Sequence, residues 1–474
     1  ECENGFPHAD QAIEPMLSIT VKDHNAGKFI VWGMRPYENS RDDVEYIHCP
    51  TERELLARFL GWWDADHPDI ITGWNTEFFD LPYICNRINS QLGEDAMKRL
   101  SPWGVVQSRM VNSGFGKKTE MFEIMGVNNL DYLQLYKKFT YSNQESYRLD
   151  HIAFVELGQH KDENPYDTFS DWYQKDYQSF IDYNIMDVEL VDRLDSKMKL
   201  IDLILTMTYE AKVNMSDAFT SVKYWDVLIY NPLLKRKVVI PTKTRNESKG
   251  EKYIGAYVKD PQVGQHKWVM SFDLNSLYPH LIMQYNISPE MLLPQTMPYN
   301  DNTIDEMLSQ QIDLSMLPDA KVARTPNGAL FRTKKQGFLP EMMQEMYNDR
   351  TIYKKKMLTA KQQYEDTKDP KFLNDVSRFQ NIQMARKISL NSAYGAIGNE
   401  WFRYYDLKIA EGITTSGQLS IRWIEKALNG YLNKLLKSEG VDYVIASDTD
   451  SVYIRFDELV SKVLSKRVDE SEDS

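Results

Sequence analysis

Cysteine is scarce, with three residues in 474, at positions 2, 49 and 85. So few and so scattered, they exclude a disulfide framework and a zinc site and suit a reducing compartment. The eight histidines show no His-x-x-x-His spacing, and no Cys-x-x-Cys occurs. No apolar run approaches the roughly 20 residues that a spanning helix needs. No secretory leader is visible; the chain opens at Glu1 without a methionine and reads as an internal piece of a longer protein. Basic charge is in deficit, with 56 Lys and Arg against 69 Asp and Glu, a net −13. That argues against a generally basic nucleic-acid-binding surface, but leaves room for a local basic groove around metal-binding carboxylates. Internal repeats and low-complexity tracts are missing as well.

What remains is globular, with 42% apolar and 26% charged residues. The length is too great for one core, so two or three domains are expected. Residues 16–21 and 29–32 read as strands around a turn at 25–27, residues 52–64 as a helix and 69–74 as another strand. This alternation predicts an α/β domain. Residues 173–210 read as a long helical stretch. Residues 231–252 are basic and turn-rich, suiting a solvated linker or a DNA-contacting loop, and mark a boundary. Residues 339–395 read as a helical hairpin turning at 366–370, followed by a helix at 416–437 and a closing strand hairpin.

Two sets of acids carry the chemistry. In the first, Asp80 follows a strand and opens a helical segment, a common ligand position in an α/β sheet. Tyr183 and Asp187 fall at i and i+4 on one helix face, and Glu1 is a third candidate. Three acids from separate elements can hold two divalent ions that activate a water and stabilise a leaving oxygen. The bland reading is three unrelated surface acids.

In the second set, the run Trp268–Phe272 ends in Asp273, and an acid in a buried apolar strand needs a partner. Asp448 and Asp450 sit in a turn between Tyr443-Val-Ile and Val452-Tyr-Ile, where Asp also suits an ordinary hairpin. Opposite charge comes from the helical hairpin. Arg350, Lys354 and Lys361 share one face of its first arm; Lys387, Asn391 and Tyr394 share one face of its second. Such faces suit a triphosphate, Arg by forked contacts and Lys as a point charge, or simply solvent. Gly395 is expected to end the second arm.

Together these residues resemble the family B DNA polymerases, in the manner of the replicative enzymes of T-even-type bacteriophages. Asp273-Leu-Asn-Ser-Leu-Tyr-Pro279, Lys387-Ile-Ser-Leu-Asn-Ser-Ala-Tyr-Gly395 and Asp448-Thr-Asp-Ser451 are similar to the three polymerase motifs. Trp74 to Asp80 and Tyr183 to Asp187 are similar to exonuclease motifs, and Tyr253-Ile-Gly-Ala256 to the loop coupling the two halves. The resemblance implies an α/β and α+β multidomain protein. A ribonuclease H-like 3′→5′ exonuclease would occupy 1–199 and a segment returning to an N-terminal domain 200–242. A palm built on an antiparallel sheet would occupy 243–338 and 396–474, with helical-hairpin fingers at 339–395.

It further implies roles. Asp273 and Asp450 would bind two Mg²⁺ ions, with Asp448 and the Leu274 carbonyl beside them. Ser276 and Leu277 would line the triphosphate site. Tyr278 would exclude a ribose 2′-hydroxyl. Arg350, Lys354 and Lys387 would hold phosphates, and Asn391, Tyr394 and Gly395 would lie against the incoming nucleotide. Glu1, Asp80 and Asp187 would hold two exonuclease ions, with Tyr183 near the attacking water. The implied partners are primer-template DNA, dNTPs, a sliding clamp and other replisome proteins, in the cytoplasm of an infected bacterium and with no membrane.

Departures qualify this. The family's first exonuclease motif is Asp-x-Glu, and the chain begins at the Glu, so weak proofreading is expected. Most of the N-terminal domain and the thumb are expected to be absent, which accounts for the missing basic surface. Arg350 and Lys387 lie 37 residues apart, giving short fingers of about five turns per arm. Ala446-Ser447 replace the usual Tyr-Gly, removing backbone freedom before the turn. Two alternatives stand beside the enzyme reading: a degenerate subunit that holds DNA or a partner, and a split polymerase completed by a second chain.

Overall fold

A computed structural model describes residues 8–112, 118–140, 143–243, 253–313, 315, 317 and 321–472. The chain divides into two compact units, Glu1–Tyr209 with Asn214–Phe219, and Glu210–Val213 with Thr220–Ser474.

The first unit is built around the strand Lys28–Gly33, whose side chains are apolar on both faces. Period two sends Ile30 and Trp32 one way and Phe29 and Val31 the other. Ile30 and Trp32 join Leu55, Leu56, Phe59, Leu60 and Trp63 of the helix Glu52–Ala65. Phe29 and Val31 join Tyr177, Ile181 and Ile185 of the helix Tyr177–Met198. A strand buried on both faces belongs inside a sheet. It runs antiparallel to Ser18–Asp23 on one side and parallel to Val44–His48 on the other. A separate parallel pair, Ile70–Gly73 with Asn128–Asp131, leads to the site. The helical stretch expected over 173–210 is broken. Lys199 adopts φ 56°, which ends one helix before Leu200–Ala211 begins.

The second unit contains a four-stranded antiparallel sheet in the order Val258–Lys259, Val444–Asp448, Ser451–Arg455, Val269–Asp273. The helix Leu407–Leu436 covers one face, packing Ile421 and Leu432 on Val444, Val452 and Ile454. It starts nine residues earlier than expected, because Asp406 accepts the Lys408 N–H at 2.8 Å and caps it there. Val269–Asp273 was expected to be buried, yet every residue in it is exposed. Among the described residues it has a neighbour on one side only, and its apolar residues there mark strand propensity rather than enclosure.

The helical hairpin is present, with arms Phe338–Thr367 and Lys371–Ile397. Lys368 at φ 53° closes the first arm and Pro370 opens the second. Gly395 does not end that arm. Ala396 and Ile397, both buried, carry the helix on to Gly398. The helix Ser221–Lys235 packs on the same arm: the Tyr224 and Ser389 hydroxyls are 2.7 Å apart, and Trp225 Nε1 donates to Ser392 Oγ at 3.1 Å. Residues from Thr220 onward cluster with the second unit. Among the described residues no helix is long and apolar enough to cross a membrane.

Candidate active sites

In the first unit the organising side chain is Asp131, at the C-terminal end of its strand and 2% exposed. Its carboxylate accepts the N–H groups of Asn75 at 3.0 Å, Glu77 at 3.1 Å and Leu133 at 2.9 Å. It thereby caps the helix Tyr132–Phe139 and shapes the loop after Gly73. That loop needs Gly73, where a Cβ would lie 2.6 Å from Thr76 Cγ2, and Asn75, at φ 70°. A π-helical turn, Thr76–Asp80, then delivers Asp80 to the head of the helix Leu81–Leu92. The acid expected at a strand end thus stands one turn beyond it, and Asp131 takes the strand-end position.

Asp80 is exposed, although protein packs closely enough around its carboxyl group to desolvate it. Burial, then the Asp131 and Asp187 carboxylates, push its pKa up to about 6. Asp187 arrives on the helix Tyr177–Met198, and Lys161 Nζ lies 2.6 Å from its Oδ1. Burial still carries the Asp187 pKa upward against that partner. Tyr183, one turn earlier, packs on Trp172 at 5.0 Å between centroids and accepts from Lys161 Nζ at 3.4 Å. A cleft of about 430 Å³ is lined by Phe78, Phe79, Lys118 and Lys137, among others, without Asp80 on its lining. Glu1 lies outside the described residues.

In the second unit, sheet register brings the acids together. Asp273 pairs with Ser451, and Ser451 with Asp448 across the hairpin turn. The Leu274 N–H donates to the Asp450 carbonyl at 2.8 Å. The turn is tight: Thr449, a β-branched residue, adopts φ 54°, and its hydroxyl donates to Asp448 Oδ1 at 2.9 Å. Burial, then Asp273 and Asp448, raise the Asp450 pKa. Ser447 stands in regular strand, paired with Val452 and Lys259, so the Gly it replaces is not required there.

The cations come from the hairpin arms. Arg350 Nη1 donates to Ser276 Oγ at 3.3 Å, and its buried Nε has no hydrogen-bond partner among the described residues. Burial lowers the Lys387 pKa, Arg350 and Lys354 lower it further, and Asp273 opposes them. These four charges therefore share one neighbourhood. Tyr278, whose pKa rises through burial and through Asp450, Tyr253 and Asp448, packs on Tyr394 at 4.7 Å between centroids. Leu277 is buried; Asn391 and Gly395 are exposed on the second arm. Lys361 does not join this group. It lies further along the first arm, where it acts on Glu365.

The family model for DNA polymerase family B matches residues 220–470, and that for the family's exonuclease domain matches residues 1–152. The chain belongs to the family B DNA polymerases. It is 34% identical to the DNA-directed DNA polymerase of Escherichia phage RB69 over 532 residues, covering 97% of this chain and 57% of that protein. It is 35% identical to that of Enterobacteria phage T4, covering 91% and 52%. Likeness extends to the DNA polymerase delta catalytic subunit of Caenorhabditis elegans, at 26% identity over 86% of this chain and 37% of that one. The chain thus spans about half the length of its phage relatives. It is a mixed α/β multidomain protein with family B exonuclease and polymerase domains. The exonuclease match stops short of Tyr183 and Asp187.

Family B polymerase and exonuclease domains generally use divalent metal ions. Among the described residues no three His, Cys, Asp or Glu side chains form a group that could hold one. The donor chemistry still fits. Asp450 is pushed upward by burial and then by two neighbouring carboxylates, and a hard dication with oxygen preference relieves that repulsion. Two residues escaped the sequence reading. Asp131 was legible, since Asn-Asn-Leu-Asp ends a strand in an acid just as Phe272-Asp273 does. Lys161 sits in a loop with no spacing to betray it.

Proposed function

We propose that the second unit extends a primer 3′ end with deoxynucleotides under template direction, and that the first removes mispaired ends by 3′→5′ hydrolysis. The observation that carries this is the meeting of acids Asp273, Asp448 and Asp450 with cations Arg350, Lys354 and Lys387 from separate elements. Burial and then the cations Arg350 and Lys354 lower the Lys387 pKa against Asp273, while burial and then Asp273 and Asp448 raise that of Asp450. Acids alone suit a metal and cations alone an anion; together they suit a metal-bound triphosphate.

Residues 243–338 and 396–474 form the palm in this reading, 339–395 the fingers, and the first unit a ribonuclease H-like exonuclease. Asp273, Asp450 and the Leu274 carbonyl, with Asp448 beside them, would hold two Mg²⁺ ions. Bound there, the ions lower the pKa of the primer hydroxyl and neutralise charge on the leaving pyrophosphate. Arg350, Lys354 and Lys387 orient the phosphates, with Ser276 and Leu277 lining their seat. Tyr278 walls the sugar and excludes a 2′-hydroxyl, backed by Tyr394. Asn391 and Gly395 present an open helix surface to the nucleotide. In the first unit Asp80, Asp187 and Glu1 are the acid set for two ions, and Tyr183 with Lys161 orients the attacking water. The partners are primer-template DNA and dNTPs, with clamp and replisome proteins meeting other parts of the polymerase.

Primer extension by the chain, with Asp450→Asn beside it, tests the reading. Extension by the wild type and its loss in the variant are expected. No extension by the wild-type sequence, alone or within a full-length polymerase, overturns the enzyme reading in favour of a DNA- or partner-holding subunit. Equal extension by both overturns the role of Asp450. Trimming of labelled single-stranded DNA with Mg²⁺, abolished in Asp187→Ala, tests the first unit the same way.

A further inference from the structure

On the helix Leu407–Leu436, residues Thr414, Gly417 and Gln418 stand at i, i+3 and i+4 and share one face. Thr414 Oγ1 donates to the Ile254 carbonyl at 2.7 Å, and Gln418 Nε2 donates to the Gly255 carbonyl at 2.7 Å. Between them, Gly417 abuts the Tyr278 ring, and a Cβ there would lie 3.0 Å from Tyr278 Cε1. The segment held by the two side chains, residues 253–256, belongs to no helix or strand, and Ile254, Gly255 and Ala256 are exposed. Its first residue is Tyr253, whose hydroxyl lies 3.0 Å from that of Tyr394. The Tyr394 ring in turn packs on Tyr278. At the far side Gly398 leaves room for Tyr253, since a Cβ there would lie 2.7 Å from the Tyr253 hydroxyl.

The contacts close a ring: one helical turn holds a strap, the strap holds Tyr253, Tyr253 holds Tyr394, and Tyr394 meets Tyr278, which returns to the same turn. We infer that Thr414 and Gln418 are positioning residues for sugar selection, fixing Tyr278 through Tyr253 and Tyr394 without touching the nucleotide. The inference rests on the polymerase reading of the second unit. An exposed strap with two consecutive carbonyls clamped has little freedom to slide. Freed of the clamp, Tyr253 can leave Tyr394, and the Tyr278 ring can turn away from the space a 2′-hydroxyl would take.

The test uses the full chain and four substitutions: Gln418→Ala, Thr414→Val, Thr414→Ser, which keeps the hydroxyl, and Gly417→Ala. Equilibrium dialysis with Mg-dATP and Mg-ATP gives the ratio of their dissociation constants, and hydrogen exchange of the amides in 253–258 reports the strap. In Gln418→Ala and Thr414→Val, strap exchange should rise and the preference for dATP fall by about tenfold, the scale of one net hydrogen bond. Thr414→Ser should match the wild type on both. Gly417→Ala should shift the preference with strap exchange unchanged, because it displaces Tyr278 directly. Faster exchange with unaltered preference overturns the inference, and so does unaltered exchange in both clamp variants. A wild type that binds no dATP and extends no primer overturns the polymerase reading, and the inference with it.

Discussion

The two acid clusters differ in how their charge is met by the chain itself. In the first unit the compensation is local: Lys161 stands 2.6 Å from Asp187, and three backbone N–H groups point at Asp131. Beside them Asp80 is exposed. In the second unit the acids ride on an exposed edge strand and a hairpin tip, while their counter-charges sit on another element. Repulsion among like charges is left standing on both sides. The difference matches what each site is proposed to receive. A hydrolytic site handles a single chain end and can be compensated in advance. A site for a triphosphate and its ions must keep both signs available.

The largest expected effect comes from removing an acid that the second site leaves uncompensated. Asp450→Asn should lower primer extension at least about a hundredfold, since loss of a metal ligand exceeds the 10–100-fold cost of losing an outer partner. The same substitution should raise the melting temperature. An acid whose pKa is raised in the folded state destabilises that state when ionised, and Asn removes this term at neutral pH. A melting temperature that falls would break the contrast, because it would make Asp450 a structural residue like Asp131.

Asp131→Ala should do the reverse. It leaves three N–H groups, one buried and two part-buried, without an acceptor and removes a helix cap, a cost of about 2–3 kcal/mol, reduced by relief of a buried charge. Thermal melting should show the loss, trimming of single-stranded DNA should vanish, and primer extension should persist. Extension lost in step with trimming would show that the two sites do not stand apart in this way.

Arg350→Lys probes the opposite charges. Lysine keeps the cation but loses the fork and the buried Nε, which has no partner among the described residues. The KM for dNTP should rise by roughly tenfold, a charge-assisted contact's worth, with a smaller change in kcat. Equal losses in both would mean that Arg350 acts mainly in the transition state.

The contrast between the sites was only half legible in the sequence. Apolar periodicity located the helical hairpin, the strand at Lys28–Gly33 and the hairpin around Asp448, because each buries a face or a stripe that leaves a pattern. Periodicity misjudged Val269–Asp273, since an edge strand and a buried one carry the same apolar letters. Exposure is a property of neighbours. Asp131 was legible as an acid ending a strand, but its role was not, because its partners are backbone amides, which leave no letters to read. Lys161 meets Asp187 across 25 intervening positions with no regular spacing. Gly395 was read as a helix end because glycine so often is one, but the buried Ala396 and Ile397 outweigh that preference.

The smallest expected effect bears on the hairpin tip. Thr449 holds φ 54°, a region that costs a β-branched residue about 1–3 kcal/mol. Thr449→Gly removes that strain, but adds about 0.5–1 kcal/mol of unfolded-chain entropy and deletes the hydroxyl's hydrogen bond to Asp448. These terms oppose one another, so stability measured by denaturant titration should move by no more than about 1 kcal/mol in either direction. Extension should still fall by a few-fold, because Asp448 loses its tether and the turn carrying Asp450 loosens. If extension is unchanged as well, the strain at Thr449 does not serve the acids, and their placement follows from the register with Val269–Asp273 alone.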